Sequence, residues 1–383
     1  MNHFRSLSAV TALLLAAGLS GGALAHGNGG PSKKPIMLDR SGGFVIGGKI
    51  ITSPTNPNRT LSCDHGYVEY FIPSKPRETS LVMWHSSSTQ VWQNRWDGGE
   101  GYKDIMLRRD YPVYLWDGPR VGRANWGCET YTYTPTYLDQ GNFSAWKFGP
   151  VAPAGQVPTA SEWYPGVKFP TENTQAWLDA TRSRYLEFDR GDNIAVQTDA
   201  AAVAADSGRL GDKIVYLTNS AGGLRAMVTT SKASGNNIAG IVTYESIGYV
   251  FPIGHPESPA NLCDMSGAAC AFGPLGIPLD DFRKLAKLRK IQFVWGDNRP
   301  ESEPQVALSR LCAKLINDYG GNAEVVKLGD IPGFEGSTHI PFADMHNEKI
   351  AVLLDQFLRK ARLDGYAKPG RGHGHGNGHG HGH

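Results

Sequence analysis

The chain has 383 residues, 40% of them hydrophobic and 19% charged, which is a globular composition with room for one large domain or two ordinary ones. Its formal charge of +2 gives no clustered basic face and so no warrant for a nucleic-acid partner. Beyond the N-terminus no stretch approaches the ~20 apolar residues of a membrane span, so no membrane span is expected.

Residues 1–25, "MNHFRSLSAVTALLLAAGLSGGALA", read as a signal peptide: Arg5 in a short polar head, a brief apolar run, and small residues closing at Ala25. Cleavage after Ala25 would export the mature protein, which makes it secreted or periplasmic. Residues 26–35 form a flexible lead, and the body is expected over 36–365. There "GGFVIGGKIIT" and "HGYVEYFIP" read as short strands joined by "SPTNPNRT", a turn-rich connection. Six buried strands follow: "TSLVMWH", "YPVYLWD", "DKIVYLT", "IAGIVTYE", "KIQFVWGD" and "AEVVKLGD". Continuous apolar runs of this length suit a parallel sheet covered on both faces. Helical patterns lie between or after them, in "GYKDIMLRRD", "AGGLRAMVTTSKA", "LDDFRKLAKL", "VALSRLCAKLINDY" and "HNEKIAVLLDQFLRKA". The alternation predicts an α/β fold with a mostly parallel central sheet and right-handed crossovers. Residues 119–192, rich in Trp, Tyr, Pro and Gly, break the rhythm and read as a cap-like insertion over the carboxyl edge of the sheet.

Export permits disulfides. Of five cysteines, Cys263 and Cys270 are the best pair, Cys63 with Cys128 is a second, and one cysteine stays unpaired. Their spacing does not suit zinc. The tail, residues 366–383, carries His373, His375, His379, His381 and His383 mainly between glycines. It cannot build a core and is expected to be disordered, with a transition metal such as Zn, Cu or Ni as a possible ligand.

The stretch "IVYLTNSAGG", residues 214–223, carries the chemistry. A strand ends, Ser220 follows, and a helix begins, as in a nucleophile elbow, although Thr218 stands where Gly-x-Ser-x-Gly has its first glycine. A serine nucleophile needs a base and an acid in the chain order serine, acid, histidine. Among His255, His339 and His346, the loop-borne His339 after the last strand fits the base. The acid is open between Asp297 and Glu245, each at a strand end. The backbone N–H of Ala221, next to the nucleophile, should form half of the oxyanion hole. His85 reads as a brace of the turn after its strand. Trp84, Trp92, Trp116, Trp126 and Trp163 are read mainly as packing, with an aromatic pocket as the functional alternative.

"LVMWHSSS", "WDGGEGYKDIMLRRDYPVYLWDGPRVGRA", "EWYPGVKFP", "TNSAGG", "YESIGYVFP" and "STHIPFADMHNEKIA" occur in one order. As a set they resemble the bacterial esterase 713-like branch of the α/β-hydrolase superfamily, over residues 36–360. The resemblance implies an α/β-hydrolase fold and a serine esterase with Ser220 as nucleophile, Glu245 as acid and His339 as base. It makes Asp297 structural and places the second oxyanion donor at Ser87. Relatives have His-Gly and then two cysteines or two glycines where this chain has His85-Ser86-Ser87-Ser88. The expected function is hydrolysis of a small-molecule carboxylic ester through an acyl-enzyme, with no cofactor. The alternatives are a lactonase, amidase or lyase on the same fold, or a catalytically degenerate body carrying a metal-binding tail.

Overall fold

In the computed structural model, residue 33 and residues 35–368 are described, apart from 86–87, 133, 186–189 and 267–269. The expected signal peptide and the five tail histidines, His373 to His383, lie outside the described residues, as does Ser87. The body extends at least to Ala367, since the backbone of residues 365–367 pairs with residues 76–78.

Four strands open the fold: β1 (Leu38–Ile46), β2 (Lys49–Ser53), β3 (Asn56–Cys63) and β4 (Gly66–Pro73). The residues expected to be a turn are largely strand β3, which pairs antiparallel with β2. Their polar side chains hid the strand, because this hairpin lies outside the main sheet and has no apolar face to bury. A disulfide from Cys63 to Cys128 fixes its end, and the Cys263–Cys270 disulfide also forms. Cys312 is free and buried.

Then come β5 (Thr79–His85), α1 (Tyr102–Leu107), β6 (Val113–Asp117), α2 (Asp139–Ala145), α3 (Thr174–Arg182), α4 (Gly191–Asp206), β7 (Lys213–Asn219) and α5 (Gly222–Lys232). The chain closes with β8 (Ile238–Tyr244), β9 (Val250–Pro252), β10 (Leu275–Ile277), α6 (Leu279–Ala286), β11 (Lys290–Trp295), α7 (Pro304–Asp318), β12 (Ala323–Lys327) and α8 (Asn347–Lys360). The main sheet has the order β1-β4-β6-β5-β7-β8-β11-β12. All six expected buried strands are in it and run parallel to one another; β4 is reversed, pairing antiparallel with β6 on one side and with β1 on the other.

Each strand sends alternate side chains into two cores. Val82, Trp84, Ile214, Tyr216 and Ile241 face one core, shared with α4, α5, α6 and α7. Leu81, Met83, Val215, Leu217 and Val242 face the other, shared with α1 and α8. Covering both faces is what lets every residue of β5 and β8 be buried. Helix α4 was not foreseen. Its "AVQTDAAAVAA" is made of the best helix former, but alanine carries little amphipathic contrast for periodicity to detect.

Residues 118–190 contain α2, α3 and, among the described residues, no strand. They are held by aromatic packing: Phe143, Phe148, Trp163, Phe169 and Trp177 form a cluster in which the Trp163 and Phe169 rings stack 5.1 Å apart. Trp84, Trp92 and Trp116 are core residues, whereas Trp126 is exposed.

Candidate active site

Three strand ends converge at the carboxyl edge of the sheet. Strand β7 stops at Asn219 and α5 starts at Gly222, so the chain must reverse within two residues. Ser220 takes the strain, with a φ of +55°, a conformation that costs a non-glycine residue roughly 1–3 kcal/mol. It is held there by its own backbone: its N–H donates to the Tyr244 carbonyl (3.1 Å) and its carbonyl accepts from Gly223 N–H (3.1 Å). The glycines after it are required by close approach. A β-carbon on Gly222 would meet the Trp84 carbonyl oxygen at 2.7 Å, and one on Gly223 would meet Ser246 Oγ at 2.2 Å. The same missing atom makes room for Thr218, whose β-carbon lies 3.3 Å from where a Gly222 β-carbon would be. A threonine therefore fits where the usual elbow has glycine.

The turn leads into α5 with Ala221 at its start, so the helix N-terminus and its partial positive charge lie beside Ser220. At the neighbouring strand end, His85 is paired in register with Asn219. Burial and the nearby His339 push the His85 imidazole down to about 3, so it is neutral. It is buried beside Asn219 at the strand ends. The following turn is described again at Ser88, whose Oγ accepts from Gln90 N–H (2.9 Å).

Asn219 ties the three strand ends together. Its buried Nδ2 donates to the Tyr244 carbonyl (3.0 Å) and to the His339 carbonyl (2.8 Å). One side-chain amide thus links the residue before Ser220, the residue before Glu245, and His339 itself.

Glu245 also has a left-handed backbone, at φ +53°, and its N–H bonds to the Val294 carbonyl of β11 (2.7 Å). Its carboxylate is fully buried and completely occupied. Oε1 accepts from Gly296 N–H (2.6 Å), while Oε2 accepts from His339 Nδ1 (2.9 Å) and from Arg299 Nη2. Burial alone would raise the Glu245 pKa, but the Arg299 guanidinium and the His339 hydrogen bond overcome it and hold it at about 2. Glu245 is an anion at any working pH. For His339, burial lowers the pKa and the Glu245 carboxylate opposes that; the outcome is below the ordinary histidine value. It is a neutral base near pH 7.

The loop after β12 is shaped to present His339. Its Thr338 gives both N–H and Oγ1 to the buried Asp344 carboxylate (2.7 and 2.8 Å). His339 N–H bonds to the Trp146 carbonyl (2.9 Å), and the Trp146 ring lies parallel to the imidazole, 6.2 Å away. Asp297, the rival acid, has another arrangement. Its two carboxylate oxygens accept backbone N–H groups from Asn298 and Gly336 (2.7 Å each), closing the loop that carries His339. His346 caps the start of α8, with Nε2 2.8 Å from Ser337 Oγ, and His255 lies in the loop after β9.

The structure therefore brings Glu245 and His339 into direct contact and sets Ser220 at the adjoining elbow. Sequence reasoning missed Asn219 as a tie, Trp146 as the ring over the imidazole, and Arg299 on the carboxylate. None of the three carries a motif. Among the described residues, no group of three or more His, Cys, Asp or Glu side chains is placed to hold a metal, and no helix is long and apolar enough to cross a membrane.

No protein-family model and no curated protein matches the chain. Among solved structures it is similar to a bacterial esterase, at 18% identity and a TM-score of 0.62, over 86% of this chain and 98% of the esterase. The chain has the α/β-hydrolase fold. Similarity extends more loosely to an arylesterase (15% identity, TM-score 0.38, over 87% of this chain and 85% of that one). It also reaches Thermogutta terrifontis esterase 2 (13% identity, TM-score 0.40, over 84% and 97%). Ser220 follows β7 at the carboxyl edge of the sheet, which in open α/β sheets is the edge where ligands bind.

The buried histidines set an acid limit on stability. Burial holds His85 at about 3 and, helped by Lys168 and Lys349, His346 at about 4, against ~6.5 in an unfolded chain. Below pH 6.5 the unfolded state binds protons that the folded state refuses, so their contribution is whole above pH 6.5 and is lost as pH falls. For His85 the loss is roughly 2 kcal/mol by pH 5, at ~1.4 kcal/mol per pH unit. Glu245 adds a loss of the same sign below pH 4.5. Melting temperatures at pH 7.5, 6 and 5 should fall by several degrees across the series; a flat series would mean that these imidazoles are protonated in the fold.

Proposed function

We propose that the protein is an exported serine esterase of the esterase 713-like branch, cleaving small carboxylic esters by way of an acyl-enzyme. The observation that supports this most is the 2.9 Å hydrogen bond from buried His339 Nδ1 to Glu245, joined through Asn219 to the strained elbow that carries Ser220.

The chemistry follows from the protonation states. Glu245, an anion, accepts the hydrogen bond from Nδ1–H and so leaves Nε2 as the basic nitrogen. Ser220 Oγ attacks the acyl carbonyl carbon while its proton passes to His339 Nε2. The carbonyl π pair becomes an oxyanion, received by the Ala221 N–H at the start of α5 and by the N–H of Ser87. Collapse breaks the bond to the alcohol oxygen, which leaves with the proton from Nε2. Water then repeats the sequence on the acyl-enzyme: its proton goes to Nε2, its oxygen to the acyl carbon, and the carboxylic acid departs as the proton returns to Ser220. Asp297 holds the histidine loop. Export is supported by the leader-like N-terminus and by the two disulfides.

A series of p-nitrophenyl esters from acetate to decanoate tests the reading. Saturable turnover is expected, with an initial burst of nitrophenolate close to one equivalent of enzyme where deacylation is slower than acylation. A folded protein with no turnover above the buffer rate on any ester, lactone or amide tried would overturn it.

A further inference from the structure

One buried cation in the site has no part in the chemistry above. Arg299 follows β11 and is 9% exposed. Its Nη2 contacts Glu245 Oε2, donates to the Ala145 carbonyl at the end of α2 (3.0 Å), and lies 3.3 Å from His339 Nδ1. Its Nη1 donates to Glu303, the residue just before α7, and the guanidinium lies 5.7 Å from the Trp295 ring centre. Glu303 in turn pairs with Lys147 (3.6 Å), just beyond α2.

We propose that Arg299 is a positioning residue of the hydrolytic site: its guanidinium fixes the Glu245 carboxylate beneath His339 Nδ1 and fastens the end of α2 over the imidazole. The proposal rests on the esterase reading given above. The planar fork is suited to both tasks. One edge fixes a carboxylate oxygen in direction as well as distance, which a lysine point charge cannot do. The same nitrogen reaches Ala145, whose neighbour Trp146 supplies both the carbonyl bonded by His339 N–H and the ring parallel to it. Arg299 therefore orients the histidine from two sides, through its acid and through the segment above it. The charge has a second effect. Arg299 adds a positive field at the imidazole that opposes its protonation, while Glu245 and Glu303 favour it. His85 stands at the neighbouring strand end, Asp344 anchors the histidine loop, and the Arg184 guanidinium lies 5.9 Å from the Trp146 ring centre; these are unaltered chemically when Arg299 alone is changed.

The test compares wild type with Arg299→Gln and Arg299→Lys, measuring kcat and KM for a p-nitrophenyl ester between pH 4.5 and 9. For Arg299→Gln, kcat should fall roughly 10–100-fold with KM little changed, as expected for misoriented groups. The acid limb should move up by roughly one pH unit, because a like charge beside the base is gone. Arg299→Lys should keep the acid limb within a few tenths of a unit of wild type yet lose kcat. A purely structural arginine would lower the melting temperature and leave the limb and kcat of the folded enzyme unmoved; that result overturns the proposal. If Arg299→Gln does not fold, Arg299→Lys decides, and an unchanged kcat there overturns it equally. Wild type without esterase activity would remove the underlying reading and this proposal together, whereas active wild type with indifferent variants removes this proposal alone.

Discussion

Replacing Ser220 by alanine should abolish ester hydrolysis, lowering kcat by roughly 10⁴–10⁶-fold, with the melting temperature preserved or raised. The rate follows from chemistry: without Oγ there is no acyl-enzyme, and only orientation and the oxyanion donors remain to accelerate direct attack by water. The stability follows from geometry. Ser220 is partly exposed and in a strained conformation fixed by the backbone bonds of its neighbours, none of which involves its hydroxyl. Alanine keeps those bonds. The same pattern, dead but stable, separates a nucleophile from a helix-capping serine, whose loss would cost about 1 kcal/mol and leave activity intact. Hydrolysis of a fast ester and a thermal melt on the same preparation are sufficient to tell the two apart.

The second large effect is expected at Glu245, and its comparison with Asp297 decides between the two acids that the sequence left open. Glu245→Gln keeps the shape but offers an amide where His339 Nδ1 and Arg299 both need an acceptor. If the amide nitrogen turns toward the imidazole, the wrong tautomer is favoured; loss of about 10⁴ in kcat is expected, by the logic of a triad acid. The variant should also be less stable by several kcal/mol, since a buried guanidinium loses a buried partner. Asp297→Asn should behave differently. Its carboxylate accepts the N–H of the adjacent Asn298 and that of Gly336 in the histidine loop, so stability should fall by about 1–3 kcal/mol and kcat by no more than about tenfold. Equal losses of kcat at both positions would contradict the assignment of the acid.

Much of this was legible in the sequence because the parallel sheet writes itself in apolar runs. Strands buried on both faces need continuous Val, Ile, Leu, Trp and Tyr, and the six predicted strands are all present for that reason. The positions of Ser220 at the end of β7 and of His339 in the loop after β12 were legible from chain order, since each follows its strand. The acid was not legible from the residues alone. Glu245 and Asp297 each end a parallel strand next to the histidine loop, and both meet that loop in the fold. What separates them is direction: one carboxylate faces the imidazole and the other the backbone. The resemblance to known esterases implies Glu245, and it is Glu245 whose carboxylate lies 2.9 Å from His339 Nδ1.

The misses have their own physics. The β2–β3 hairpin is polar because it does not build the core, so its residues resemble a turn. Half of the buried residues of helix α4 are alanine and most of the rest are polar or glycine, so no apolar face is marked. Arg299 gives no local sign, because its three partners come from Glu245, Glu303 and Ala145, at separations that only the fold defines. The Ser86-Ser87-Ser88 departure from the esterase pattern bears on the proposed second oxyanion donor and on turnover.

The central claim is that Ser220 is an activated nucleophile, and covalent labelling with a fluorophosphonate reads that directly. Mature wild type and Ser220→Ala would be incubated with the probe and the modified peptide located by mass spectrometry. Labelling of wild type on Ser220, with none on the alanine variant, is the expected result. Folded wild type that stays unlabelled, or label found on a serine other than Ser220, would contradict it.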